Sequence, residues 1–140
     1  MNEKIRKSLE KTGNAFKQSM PVLLLVLLLV SLAGTAIPKS FYSLLFTGNI
    51  FIDSMIGAFF GSIAAGNPLT SYIIGGELVR QGISLIAVTS FIVAWTTVGI
   101  IQLPAEILML GKRFALARNI VSFFLAVIIA VLTVLTLGMI

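Results

Sequence analysis

Residues 119–140 read NIVSFFLAVIIAVLTVLTLGMI, 22 positions with no charge and no proline. A helix of that length rises about 33 Å, enough to cross the roughly 30 Å hydrocarbon core of a bilayer once. A helix that is apolar all round belongs in lipid or deep inside a protein, and much of the apolar surface of this chain needs lipid rather than a core to cover it. The stretch sets the expected fold class, an all-α integral membrane protein. Composition agrees: 58% of the chain comes from the set AVILMFWYC and 11% is charged, against about 25% charged in soluble domains. Mean hydropathy is +1.08.

Upstream, Pro21 to about Ile37 forms another apolar span, with Pro21 suited to a first helical turn and Pro38 ending the run. Leu85 to about Leu103 forms a third. Between them lie Ile50–Gly66 and Pro68–Gln81, divided at Ala64-Ala65-Gly66-Asn67-Pro68. Asn67 reads as an N-cap and Pro68 as the first residue of a new helix. Gly82 reads as a C-cap and Ser84 as the next N-cap. Pro104 interrupts the pattern before Ala105–Leu110, and Gly111-Lys112-Arg113 turns the chain into the last span. The expectation is about three full transmembrane helices plus a re-entrant or broken helical hairpin. Residues 1–20 form an amphipathic cytoplasmic segment, with Ile5, Leu9, Phe16 and Met20 along the membrane surface, and residues 21–140 the transmembrane domain.

Net charge is +5. Lys4, Arg6, Lys7, Lys11 and Lys17 precede the first apolar run, and Lys112, Arg113 and Arg118 cluster near the far end. If Ile50–Gln81 is a re-entrant hairpin, these eight lie on one side and only Lys39 and Arg80 on the other. If Ile50–Gly66 instead crosses fully and Pro68–Gln81 lies on the surface, the split is six to four. The positive-inside bias prefers the hairpin, with the N-terminus cytoplasmic in the cell membrane. A cleaved secretory signal is a further reading of the first apolar run, through Gly34 and Ala36; an uncleaved span is preferred. Basic flanks on apolar spans suit anionic headgroups, so membrane lipid is an expected partner and nucleic acid is not.

Histidine and cysteine are both missing. That excludes disulfides, Cys/His metal sites, thiol redox chemistry and His-based triads. With no acidic dyad either, the expectation is a chain that is not an enzyme, with no cofactor and no metal. Small residues do stand out: Gly57, Gly61 and Ala65 recur every fourth position, beside Ala58, Ser62 and Gly66, a pattern that lets another backbone approach closely.

Two interrupted segments carry the polar chemistry. At the first, Gly66 and Pro68 break the helix, and Asn67, Thr70, Ser71 and Tyr72 surround a helix start whose amides would need partners in lipid. These four are candidate substrate-binding residues. At the second, Thr96, Gly99, Gln102 and Glu106 are spaced to share one helix face, and Pro104 would free the carbonyl of Ile100. Thr96, Thr97 and Gln102 are further substrate-binding candidates. Glu106 is the candidate for a coupling ion or proton, with pairing to Lys112 or Arg113 as the alternative. Glu77 and Arg80 are placed for an ion pair, and Asp53 reads as an interfacial charge at the start of a span.

The stretch from Gly57 to about Asn119 resembles the ArsP-type predicted permeases, relatives of the organoarsenical efflux permease. The resemblance rests on Gly66-Asn67-Pro68-Leu69-Thr70-Ser71, Gly82-Ile83-Ser84, Ala87 through Phe91, and Thr96-Thr97-Val98-Gly99. Members look like two fused copies of such a unit, so the resemblance implies a half-size, single-copy permease. Relatives often carry cysteines just after the proline, where this chain has Thr70, Ser71 and Tyr72, so thiol capture of an arsenical is not implied. The functional expectation is a secondary transporter or efflux half-unit for a small polar or anionic solute. It would act as a homodimer or with a paralogous half-permease; the alternative is a non-transporting accessory or scaffold subunit.

Overall fold

The computed structural model describes residues 3–36, 38, 40, 44–64 and 67–138. The chain forms two compact units, residues 1–36 and 37–140. Among the described residues there are six principal helices and no strand.

The first unit is α1, Glu3–Ala36, a single helix of 34 residues, about 51 Å long at 1.5 Å per residue. Pro21 was expected to start a helix and instead lies inside one. Its missing N–H removes one backbone bond, while the leucine-rich run that follows has the helix propensity to carry the winding on. The basic segment and the apolar span are thus continuous. Ion pairs Glu3–Lys7 and Arg6–Glu10, each one turn apart, line the basic half.

The second unit contains α2 (Ile50–Ile63), α3 (Pro68–Arg80), α4 (Leu85–Thr97), α5 (Leu103–Leu110) and α6 (Lys112–Leu137). Asn49 caps α2, its side-chain oxygen accepting from the amides of Phe51 and Ile52. One turn in, Asp53 is only 1% exposed. Its carboxylate accepts from the amides of Thr47 (2.9 Å) and Gly48 (3.1 Å) and from the Thr47 hydroxyl. An interfacial charge was expected; the loop before α2 instead folds back and encloses it. Truncating Asp53 would take the acceptor from three donors, two amides and a hydroxyl, so Asp53→Ala should cost about 2 kcal/mol or more. Asp53→Asn, which keeps an acceptor, should cost less. Thermal unfolding of the purified chain in detergent checks the order.

The axis of this unit is the contact between α2 and α4. A Cβ on Gly57 would fall 2.9 Å from the carbonyl carbon of Ala87 and nearer still to its oxygen; on Gly61 it would fall 3.0 Å from the carbonyl carbon of Phe91. The small ridge therefore lies directly on the α4 backbone, an intrachain contact. Because 57 meets 87 and 61 meets 91, the two helices run parallel. Ala65 and Gly66, expected to extend the ridge, lie outside the described residues, as do Lys39, Phe41 and Tyr42. α3 runs back along α4, with Gly75 against Val88 and Ile92 and Leu78 near Ile83. Both arms of the expected hairpin thus lean on α4. α6 closes the other side, bringing Ala126 to Ala58, Ala94 and Val98.

Burial differs from that of a typical soluble domain, although Ile83, Ile86, Val88, Phe91 and Val98 are buried too. The largest fully buried side chains are Asp53, Ser54, Ser62, Ser71 and Ser90, accompanied by Ala58, Ala94 and Ala130, whereas Phe59, Phe124, Ile128 and Leu132 are exposed. Small residues inside and large apolar ones outside is the packing logic of helices in lipid. Among the described residues, two helices, α1 and α6, are long and apolar enough to cross a membrane. α2 has 14 residues and α4 has 13, only about 20 Å each.

The span expected over Leu85–Leu103 is divided. α4 stops at Thr97, Val98 is extended (φ −100°, ψ 118°), and α5 starts at Leu103 with Pro104 in its first turn. Three β-branched residues followed by glycine give the helix little reason to continue. At the far end, Gly111 (φ +89°) makes the turn that only glycine adopts cheaply, so α6 begins at Lys112, ahead of the uncharged run. Gly82 (φ +91°) ends α3 as expected. Ser84 holds the N-cap position of α4 but makes no side-chain cap bond.

Candidate functional site

Since α2 and α4 are parallel, both breaks fall at one level. They bound a cavity of about 170 Å³, lined by Ala64 and Pro68 from the first, Thr96, Thr97 and Gln102 from the second, and Arg118 from α6. Two polar interruptions more than 30 residues apart thereby face one space.

The first break is better satisfied than expected. Asn67 accepts through its side chain from the amide of Leu69 (3.0 Å), and its carbonyl accepts from that of Thr70 (2.9 Å). The helix start offers neither amide to a ligand, because the Asn-Pro pair caps itself. Ser71 is fully buried and donates to the Pro68 carbonyl at 2.7 Å. Tyr72 is exposed. Among the candidates here Pro68 lines the cavity, while Asn67, Thr70, Ser71 and Tyr72 do not. Gly66 lies outside the described residues.

At the second break, Thr96, Gly99, Gln102 and Glu106 do not share a helix face, because α4 ends at Thr97. The Ile100 carbonyl is not free either, since it accepts from the Leu103 amide at 3.3 Å. Thr96 and Thr97 each donate a hydroxyl proton to the Val93 carbonyl, at 2.9 and 2.7 Å. Gln102 sits beside Gly99, whose added Cβ would meet the glutamine side-chain oxygen at 2.8 Å.

The Glu106 carboxylate pairs with Arg118, not with Lys112 or Arg113. Its second oxygen accepts from the Asn119 amide group at 3.0 Å. Asn119, 8% exposed, also donates to the Ala115 carbonyl (3.0 Å) and accepts from the Gly99 amide (2.9 Å). One side chain thereby ties the second break, α5 and α6 together. Asn119 and Arg118 were not singled out in the sequence. The signal that would have found Asn119 is a lone amide opening an otherwise apolar span; Arg118 looks like any member of a basic flank. The Glu77–Arg80 pair forms at 3.5 Å, and Gln81 also donates to Glu77. No cluster of metal-ligating side chains occurs among the described residues.

Comparison of the chain with protein-family models, curated proteins and solved structures yields no match.

Proposed function

We propose that this chain is a multi-pass membrane permease half-unit that moves a small polar solute through the space between its two helix breaks. The observation that carries the reading is the cavity where Pro68, Thr96, Thr97, Gln102 and Arg118 meet, within a unit whose outer faces are apolar. Paired interruptions of this kind build the substrate sites of secondary transporters. The resemblance to ArsP-type permeases supports the same reading.

Geometry favours the re-entrant arrangement. α4 rises about 20 Å to the level of the breaks, and from Gly99, bonded to Asn119, α6 extends back to Lys112 by about 10 Å. The sum matches one hydrocarbon thickness, with the tip of α2–α3 stopping about two thirds of the way through. The charge bias then puts the N-terminus and the Lys112–Arg113 end of α6 on the cytoplasmic side and Arg80 outside. With no native cysteine, single cysteines labelled by an impermeant reagent test this directly. Position 80 should react only from outside, and labelling only from the cytoplasm would remove the re-entrant arrangement. The half-unit assembles as a homodimer or with a paralogous half.

Transport is tested with purified full-length chain in liposomes, following uptake of labelled glycolate, phosphate, formate, glycerol, urea and methylammonium. Uptake of at least one above protein-free liposomes is expected. A folded, inserted chain that moves none of them would favour the accessory-subunit reading. Two observations speak for that second reading: Asn67 caps its own helix, and Glu106 is held on both oxygens.

A further inference from the structure

We infer that the cavity between the breaks selects a small oxyacid anion that itself carries an O–H or N–H donor. This deepens the permease reading and rests on its site. Among the described residues, Arg118 is the one full positive charge on the cavity wall. Its guanidinium has five N–H donors in a planar fork, and among the described residues only Nη1 is engaged, on Glu106. The remaining edge is available to a carboxylate or similar oxyanion, the geometry guanidinium suits best. Glu106 does not compete for the ligand's place, because Arg118 and Asn119 occupy its two oxygens.

The rest of the lining adds acceptors. Thr96 and Thr97 spend their only protons on the Val93 carbonyl, so towards a ligand each hydroxyl is an acceptor. Gln102 supplies both an acceptor and a donor. A plain anion would satisfy the arginine and leave these lone pairs facing an acceptor. A solute with an anionic end and a donor elsewhere satisfies both the arginine and the hydroxyls. Size sets the scale: about 170 Å³ is the share of about five or six waters in the liquid at about 30 Å³ each. That is room for a solute of roughly half a dozen heavy atoms, such as a hydroxycarboxylate or a protonated oxyanion.

The test is equilibrium binding to the full-length chain in detergent, by calorimetry, with glycolate and acetate as probes; they differ by the hydroxyl donor. Glycolate should bind at least tenfold more tightly. Replacing both threonines by valine should erase that ratio, replacing both by serine should keep it, and Arg118→Gln should weaken both probes at least tenfold. Each variant is first shown to unfold at the wild-type temperature without ligand; should the valine pair fail, Thr96→Val alone should reduce the ratio. Equal binding of glycolate and acetate, or binding of methylammonium in preference to either, overturns the inference. Liposome uptake separates the two claims. Glycolate binding without flux would sink the permease and leave the site, whereas flux of an anion lacking a donor would sink the selectivity and leave the permease.

Discussion

Gly61→Leu is expected to prevent the second unit from folding. Its added side chain would have to occupy the position of the Phe91 carbonyl, with the Ala94 methyl already 3.1 Å from a bare Cβ. Overpacking against movable side chains costs about 1–3 kcal/mol. Here the obstruction is backbone, which has no rotamer to yield, so the loss should reach or exceed the top of that range. Gly57→Leu should behave alike, since it faces the Ala87 carbonyl. Gly76 is the internal control. It lies in α3 with nothing within 4 Å of an added Cβ, so Gly76→Ala should raise stability by about 0.5–1 kcal/mol through backbone entropy. Thermal unfolding in detergent reads all three. A Gly61→Leu protein that melts with the wild type would mean that α2 does not lie on α4 as described.

Asn119→Leu should be the next most damaging change. It removes the acceptor of the Gly99 amide and a donor to Glu106 at one stroke. Leaving buried polar groups without partners costs about 1–3 kcal/mol for each, so a loss of about 2–4 kcal/mol is expected. Asn119→Asp keeps an acceptor for Gly99 but sets a second carboxylate beside Glu106, and should lose stability through repulsion between like charges. Hydrogen exchange distinguishes the two. The Gly99 amide should exchange much faster in the leucine variant and remain protected in the aspartate one. Protection retained in both would show that the bond to Asn119 does not hold the break.

What could be read from the sequence was what is locally encoded. Asn67-Pro68 and Gly82 mark helix ends by their own backbone chemistry, and the structure places ends there. The length and apolarity of the last run needed no tertiary information. The end of α4 was misread: Thr96-Thr97-Val98-Gly99 weakens the helix locally, and the side chain that receives the freed Gly99 amide lies 20 residues further on. Burial of Asp53 was hidden for the same reason, its partners being backbone amides of a loop without a motif. The glycine ridge announced a close approach but not the helix approached. At the site, Thr96, Thr97 and Gln102 were named and do line the cavity, whereas Arg118 was taken for part of a basic flank. A flank is recognised by where its charges stand along the chain, and that says nothing of which one turns inward.

The small residues of the interior set the terms on which this molecule can vary. Where a soluble domain resists polarity in its centre, this one resists volume. An exchange between serine and alanine at position 62 or 90 changes little space, but a leucine there would force two backbones apart. Outside, the order is reversed, and one branched or aromatic side chain can replace another without disturbing any neighbour. Divergent copies should therefore be recognised by a fixed pattern of small residues at positions 54, 57, 58, 61, 62, 87, 90, 94, 126 and 130, beneath an exterior free to change in every residue but not in its affinity for oil.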